Sequence, residues 1–375
     1  MNVVISRLLL AQLIGKIQNI IPNKPPIPIL CNLLLEAIDD QLIVSATDLT
    51  VSMRLFAEAK VIEEGSITLP ARSFFQLIRE LTVPQIKICT SGSEVAEITA
   101  GTSFFKIHGM RITEFPQIAD LSNSPHFSLP SEKLKELILR TSFSAGTDDS
   151  RYIFNGVHLH ICERIATFTA TDGKRLAKIS IPIEIDPTFQ GSYVFPLKAV
   201  EEMAKMLDDS SEEASISLMP DKASLEFKEL TLFTKLLAGQ YPDIDAVIPK
   251  QSKISIPLHR EELIALLRQV SLFTSDMSSP IRFHFTPGEL KLHGASAELG
   301  EGSVVMPVNY DKEPFEVAFN PYYFLNILKH SKDETVTFSI NDSFNPGLIT
   351  DSTSALFVIM PMRTHDNVPE KPVFA

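Results

Sequence analysis

No run of about 18 consecutive apolar residues occurs in the 375-residue chain, which excludes a membrane-spanning helix. Cysteine is scarce as well. Cys31, Cys89 and Cys162 are odd in number, far apart and without a CxxC spacing, so neither a disulfide framework nor a zinc site is indicated, and a reducing, cytoplasmic setting is expected. The apolar stretch at Leu8–Leu10 is broken by Gln12 and Lys16 with no small-residue cleavage site behind it, which predicts no signal peptide. GxSxG, GxxxxGKS and HExxH are all missing, which removes the common signatures of serine hydrolases, phosphate-cradling NTPases and zinc proteases. Positive charge is in short supply too. Lys and Arg number 34 against 46 Asp and Glu, a net charge of -12 that has the wrong sign for a chain held to nucleic acid over its whole surface.

What is present is a large core and an internal repeat. A hydrophobic fraction of 44% with 21% charged residues is that of a soluble globular protein, and single cores rarely grow past about 250 to 300 residues, so two or three domains are expected. The stretch Leu69-Pro70-Ala71-Arg72-Ser73-Phe74-Phe75 has counterparts about 125 residues apart in Phe195-Pro196-Leu197-Lys198 and Asn320-Pro321-Tyr322-Tyr323-Phe324. Each places Pro at the start of a helical pattern, where its missing N–H does no harm. Three amphipathic stretches, 6–20, 130–143 and 258–272, repeat at the same interval, and each opens a domain. Ala46-Thr47-Asp48, Ala170-Thr171-Asp172 and the weaker Gly294-Ala295-Ser296-Ala297 form a third series, each between two strand-like runs. Glu114-Phe115-Pro116-Gln117-Ile118 and Gln240-Tyr241-Pro242-Asp243-Ile244 form a fourth.

Alternating runs such as 41–55, 94–107, 165–179 and 335–340 predict half-buried antiparallel strands between these markers. The fold class is therefore α+β: three repeats, 1–124, 125–250 and 251–375, each with two helices packed on antiparallel sheets. Polar, Pro-containing linkers fall at 122–125 and 249–253, and a polar tail twice broken by Pro, expected to be flexible, begins at Thr364. Charge is segregated. The six helical stretches together are mildly positive, so the strands and loops carry more than the whole of the acidity.

These repeats, with Pro28-Ile29-Leu30, Asn32-Leu33-Leu34-Leu35, Ala170-Thr171-Asp172-Gly173-Lys174-Arg175-Leu176-Ala177 and Val358-Ile359-Met360-Pro361-Met362-Arg363, resemble the beta subunit of bacterial DNA polymerase III, the sliding-clamp family. The resemblance runs from the first residue to about Arg363. It implies a head-to-tail homodimer whose six domains close a ring around duplex DNA, with helices lining the hole. It also implies a non-catalytic processivity factor, without a cofactor, that tethers the replicative polymerase catalytic subunit, the clamp loader and other proteins carrying a clamp-binding peptide. Matched position by position, Lys24, Arg72, Tyr152 and Lys198 would face DNA. Phe154, Thr171, Gly173, Lys174, Arg175, Leu176, Pro242, Val247, Val358, Met360, Pro361 and Met362 would form the partner-peptide pocket, where Met side chains can repack around different ligands. Phe105 and Ile107 of one protomer would meet Leu272 and Phe273 of the other. The chain departs from the family pattern at Asp148-Asp149 and Ile153 beside the DNA-facing tyrosine, and at Lys174 and Ala246 in the pocket.

Two other readings stay open on the residues alone. One is a repeat scaffold with no nucleic-acid role. The other is a metal-dependent hydrolase using Asp48 and Asp172, against which stands the use of Asp before glycine as an ordinary turn residue. His158 and His160 share a strand face, but no third metal ligand is evident.

Overall fold

The computed structural model describes residues 1–92, 94–121, 123–274 and 279–363; the tail from Thr364 lies outside them. The chain divides into two compact units, 1–135 with 201–236, and 136–200 with 237 onward. Six helices recur at the expected interval: α1 (Arg7–Ile17), α2 (Ala71–Glu80), α3 (Ser131–Ser142), α4 (Leu197–Met206), α5 (Arg260–Val270) and α6 (Pro321–His330). Their apolar spacing sets the buried face. In α1 it is Leu10, Leu13, Ile14 and Ile17, in α2 Ala71, Phe74 and Ile78, in α5 Leu263, Ile264, Leu267 and Val270. Lys16 stays exposed on the opposite side of α1. The ends are also written in the sequence. Ser6 accepts from the Leu9 N–H, Pro70 occupies the N-cap of α2, and Asn320 accepts from the Tyr322 N–H at 2.9 Å. The first helix stops at Ile17 rather than Ile20, with Ile20 and Ile21 still buried after the chain has left the helix.

The strands follow one rule, applied twice. In the first unit an eight-stranded sheet runs His126–Pro130, Glu213–Leu218, Lys222–Phe227, Leu230–Lys235, Val51–Glu58, Gln41–Thr47, Asn32–Ile38, Gly65–Pro70. In the second, an eight-stranded sheet runs Gly191–Pro196, Gly156–Cys162, Ile165–Thr171, Arg175–Pro182, Leu356–Ile359, Gly347–Thr350, Thr335–Ile340, Ile254–His259. Each takes four strands from one repeat and four from the next. The junction is antiparallel pairing of a repeat's last strand with the third hairpin strand of the repeat before it: Leu230 opposite Leu55, and Leu356 opposite Lys178. Alternation fixes which face is buried; along Val51–Glu58 buried residues alternate with half-buried ones and, at the end, the exposed Glu58.

Two smaller sheets hold what remains. Lys60–Glu63, Asn2–Ser6, Gln85–Thr90, Val95–Ala100 and Ser103–His108 form one in the first unit. Gly300–Pro307, Glu289–Ser296, Ile281–Thr286 and Phe315–Phe319 form the other in the second. Ser103–His108 and Gly300–Pro307 are edge strands. The second unit's core is rich in aromatics: Phe283, Phe319, Phe324 and Phe338 are wholly buried, with Phe283 stacked on Phe324 at 4.9 Å and edge-on to Phe319 at 5.4 Å. Each such ring contributes roughly 1.5–3 kcal/mol by leaving water.

One polar contact joins elements far apart in sequence. Arg140, near the end of α3 and 4% exposed, donates to the His330 carbonyl and Thr353 Oγ1, each at 2.8 Å, and pairs with the fully buried Asp351 carboxylate. Glu136 on the same helix lies 3.3 Å from Arg140 and 2.7 Å from Lys332. A buried arginine is tolerated only when its donors are met, and here four acceptors meet them.

Candidate functional site

Four segments of the second unit carry the residues matched to the peptide pocket, and hydrogen bonds link them. The turn after Ile165–Thr171 is built by its own side chains. Thr171 Oγ1 accepts from the Gly173 N–H at 3.0 Å, and Asp172 Oδ1 accepts from the N–H groups of Lys174 and Arg175 at 2.9 and 3.0 Å. Gly173 has a φ of 81°, a left-handed conformation that glycine adopts without strain, and the Arg151 guanidinium lies against it, 2.8 Å from where a Cβ would stand. Leu176 faces Val358 across the sheet junction, and the Met360 N–H donates to the Lys174 carbonyl at 2.9 Å. Two residues on, the Met362 N–H donates to the Ala318 carbonyl at 2.8 Å, which holds the Met-Pro-Met run extended along the sheet end.

Beneath lies an apolar floor. Phe154 packs with Val194, Leu237 and Tyr241, with Ile153 and Ile244 against them. The Phe154 ring meets Tyr241 edge-on at 6.1 Å, and the other side of Tyr241 is stacked on His158 at 4.4 Å. Burial pushes the His158 imidazole down to about 4, so it is neutral at physiological pH. Arg151 ties floor to turn: its guanidinium lies 4.4 Å over the Phe154 ring and donates to the Asp172 carbonyl at 2.8 Å. Pro242 continues from Tyr241 into the segment that ends at Val247, and Lys178 to Asp245 at 2.6 Å fastens that segment to the sheet. Val247 and Met360 are 48% and 39% exposed, so apolar surface faces solvent here rather than filling a core. Lys174 and Ala246 are both exposed. Arg175 is committed elsewhere, 3.2 Å from Asp172 and 4.6 Å over the Tyr323 ring. The sequence reasoning missed Tyr241 and Arg151, although Tyr241 sits inside one of the repeat markers.

The residues matched to DNA contacts fall at two places. In the first unit Lys24 is exposed, and Arg72, at the second position of α2, donates to Asn23 beside it. In the second unit Tyr152 is 63% exposed, and Lys198 occupies in α4 the position that Arg72 has in α2. The Leu197 N–H donates to the Asn155 carbonyl at 3.0 Å, so the start of α4 and the short turn Tyr152–Phe154 are neighbours. Asp149 serves that turn. It accepts from the Arg151 backbone N–H at 2.8 Å and guanidinium at 2.7 Å, and its own N–H donates to Asn155 Oδ1 at 2.9 Å. The Arg151 hydrogen bonds lower the Asp149 carboxyl to about 2.

Phe105 and Ile107 lie opposite the buried Ile98 and Ala96, so they share the core-facing side of the strand yet remain half-exposed at the sheet edge. Phe104, on the other face, is 55% exposed. Leu272 is 73% exposed, and the Phe273 ring rests on Gly302 of the other edge strand, where a Cβ would meet it at 2.4 Å.

The carboxylates considered for chemistry are turn-builders. Asp48 Oδ1 accepts from the N–H groups of Thr50 and Val51 at 2.9 and 2.7 Å, repeating the Asp172 pattern. The His158 and His160 rings are 6.1 Å apart, and among the described residues no group of three His, Cys, Asp or Glu side chains is placed to hold a metal ion. No helix of the described residues is long and apolar enough to cross a membrane.

Comparison with known proteins agrees with this geometry along the whole chain. Residues 1–119, 128–243 and 245–363 match the models of the N-terminal, central and C-terminal domains of the DNA polymerase III beta subunit. The beta sliding clamp of Chlamydia pneumoniae is 50% identical over 367 residues, covering 98% of this chain and 100% of that protein. That of Haemophilus influenzae is 29% identical over 362 residues, covering 96% and 99%. The crystal structure of the DNA polymerase III subunit beta from Pseudomonas aeruginosa, 28% identical, superposes with a TM-score of 0.93 over 97% of this chain and 100% of that one. The chain belongs to the DNA polymerase III beta subunit family, the bacterial beta sliding clamps.

Proposed function

We propose that this protein is a processivity factor: two copies, each of three domains spanning 1–124, 125–250 and 251–375, join head to tail into a ring that encircles duplex DNA and holds the replicative polymerase to it. The observation that carries this reading is the repeated strand junction. A repeat's last strand pairs with the third hairpin strand of the preceding repeat at 230–235 with 51–58, and at 356–359 with 175–182. The first repeat's last strand, Ser103–His108, and the third repeat's third hairpin strand, Gly300–Pro307, are left at sheet edges. A second copy supplies what each edge lacks, and pairing both closes the assembly, which is how a protein with long edge strands avoids open-ended association. Phe105, Ile107, Leu272 and Phe273 then cover one another at two equivalent seams.

Encirclement accommodates a net charge of -12, because a closed ring retains DNA without many phosphate contacts, and Lys24, Arg72, Tyr152 and Lys198 need only guide it. Catalysis has no part in this role; the tether acts by raising the polymerase's concentration at the primer end. The solvent-facing surface around Phe154, Gly173, Leu176, Pro242, Val247, Val358 and Met360–Met362 receives a short peptide from the polymerase, the clamp loader and other partners. Lys174 and Ala246 alter its peptide preference. Substituting Met360→Asp places a charge on that surface. On a primed circular template with its own loader and polymerase, product length per binding event is expected to fall at least tenfold while the two-chain mass is kept. Undiminished product length would contradict the tether.

A further inference from the structure

The first unit contains a cleft of about 490 Å³ that repeats the architecture of the proposed peptide pocket. Its lining includes Thr47, Leu49, Thr50, Pro116, Leu121 and Lys235. One repeat later these positions are Thr171, Gly173, Lys174, Pro242, Val247 and Met360, six of the twelve residues matched to the pocket. The equivalence is structural as well. Thr47 Oγ1 accepts from the Leu49 N–H at 3.0 Å as Thr171 Oγ1 does from Gly173, and the two aspartates each accept from the next two turn amides. The Lys235 N–H donates to the Thr50 carbonyl at 2.9 Å, as Met360 does to Lys174.

Where the two places differ, the first unit's cleft gains features that a filled turn would not need. Leu49 has a φ of 77°, a left-handed conformation that costs a non-glycine residue strain, at the position where the next repeat uses glycine at 81°. Leu49 is nevertheless 38% exposed, so burial of its side chain does not offset that strain in full. Its apolar side chain lines the cleft with Phe233 and Leu121, and the cleft also holds Lys222 and Lys235 against a single carboxylate, Asp120. In a chain of net charge -12 the lining itself carries one positive charge in excess beside its apolar side chains; Asp221, outside the lining, lies 3.9 Å from Lys222, a long exposed pair that leaves the ammonium open to a further carboxylate.

We propose that this cleft is a second docking site for a short extended peptide of a partner protein, one that sets an apolar side chain against Leu49 and Phe233 and a neighbouring carboxylate against Lys222 and Lys235. The proposal takes its chemistry from the peptide-pocket reading but occupies different residues, so each can fail alone. A ring with both sites can hold two partners, or two motifs of one partner, on each chain.

The test is calorimetric titration of the full-length protein with acetyl-Leu-Asp-Leu-Phe-amide, and with acetyl-Leu-Lys-Leu-Phe-amide as its charge-reversed control. Two binding events per chain are expected with the acidic peptide. Lys235→Glu should weaken one of them at least tenfold and leave the other, and Met360→Asp should do the converse. A single event lost in Met360→Asp and untouched by Lys235→Glu overturns the second site and leaves the first. A single event lost only in Lys235→Glu supports the cleft and overturns the peptide-pocket reading; no binding by the acidic peptide overturns the proposal, as does equal binding of the lysine peptide. Leu49→Gly supplies the independent readout: the melting temperature should hold or rise as the strain is released, while binding at the cleft is lost. A lowered melting temperature with binding intact would make Leu49 a packing residue and overturn the proposal.

Discussion

Single residues decide the stability of the second unit where Arg140 meets Asp351. Burial of the Asp351 carboxylate works against its charge, but hydrogen bonds from Thr353 and the Lys332 N–H and the Arg140 guanidinium outweigh this and hold its carboxyl below the usual range. Removing one partner leaves the other buried and unpaired, so Arg140→Ala is expected to cost about 3–5 kcal/mol in urea denaturation at neutral pH. Replacing both with apolar residues, Arg140→Met with Asp351→Leu, should recover most of that. The pH dependence follows from the lowered carboxyl: its stabilisation is fully present above the unfolded value near 4 and is lost as pH falls through the lower folded value. The double variant should lack this acid-dependent loss, and an unchanged acid profile would contradict the assignment. None of this was legible in the sequence, because 211 residues separate the partners and nothing local marks either one. The turn aspartates were legible, since Asp48 and Asp172 act within three residues of themselves.

Among the elements, helices and hairpins were legible and the sheet order was not. Pro at the helix start and apolar residues three and four apart are local signals, and all six helices fall where they point. The alternating runs 41–55 and 165–179 divide at the predicted Thr-Asp turns. In the third repeat the turn falls after Ser296, with Ser296 paired to Gly300, so the weaker marker lies mostly within a strand. Pairing across 175 residues, as between Leu55 and Leu230, leaves no periodic trace. The edge strands bear the consequence. Ile107 continues the row begun by the buried Ala96 onto the last strand of its sheet, and a charge there stays solvated in a single chain but is stranded in a seam. Ile107→Asp is therefore expected to halve the mass seen by light scattering, with circular dichroism unchanged. A two-chain mass at micromolar concentration would place the seam elsewhere.

For the whole molecule, charge and closure belong together. A chain with 46 acidic and 34 basic side chains would bind DNA poorly by its surface, and its helices, mildly positive as a set, are the part suited to face the phosphates. The fold class and three-part build could be read from internal repeats before any relative was considered. Ring closure could not, because it depends on how two edges of separate chains meet. A topological link has one property that no surface affinity imitates: it fails when the DNA acquires ends. The most direct measurement loads the protein onto a nicked circular plasmid, isolates the complex by gel filtration in high salt, and then linearises the DNA with a single cut. Retention on the circle followed by loss on linearisation is the predicted result; equal retention on circular and linear DNA would contradict the ring.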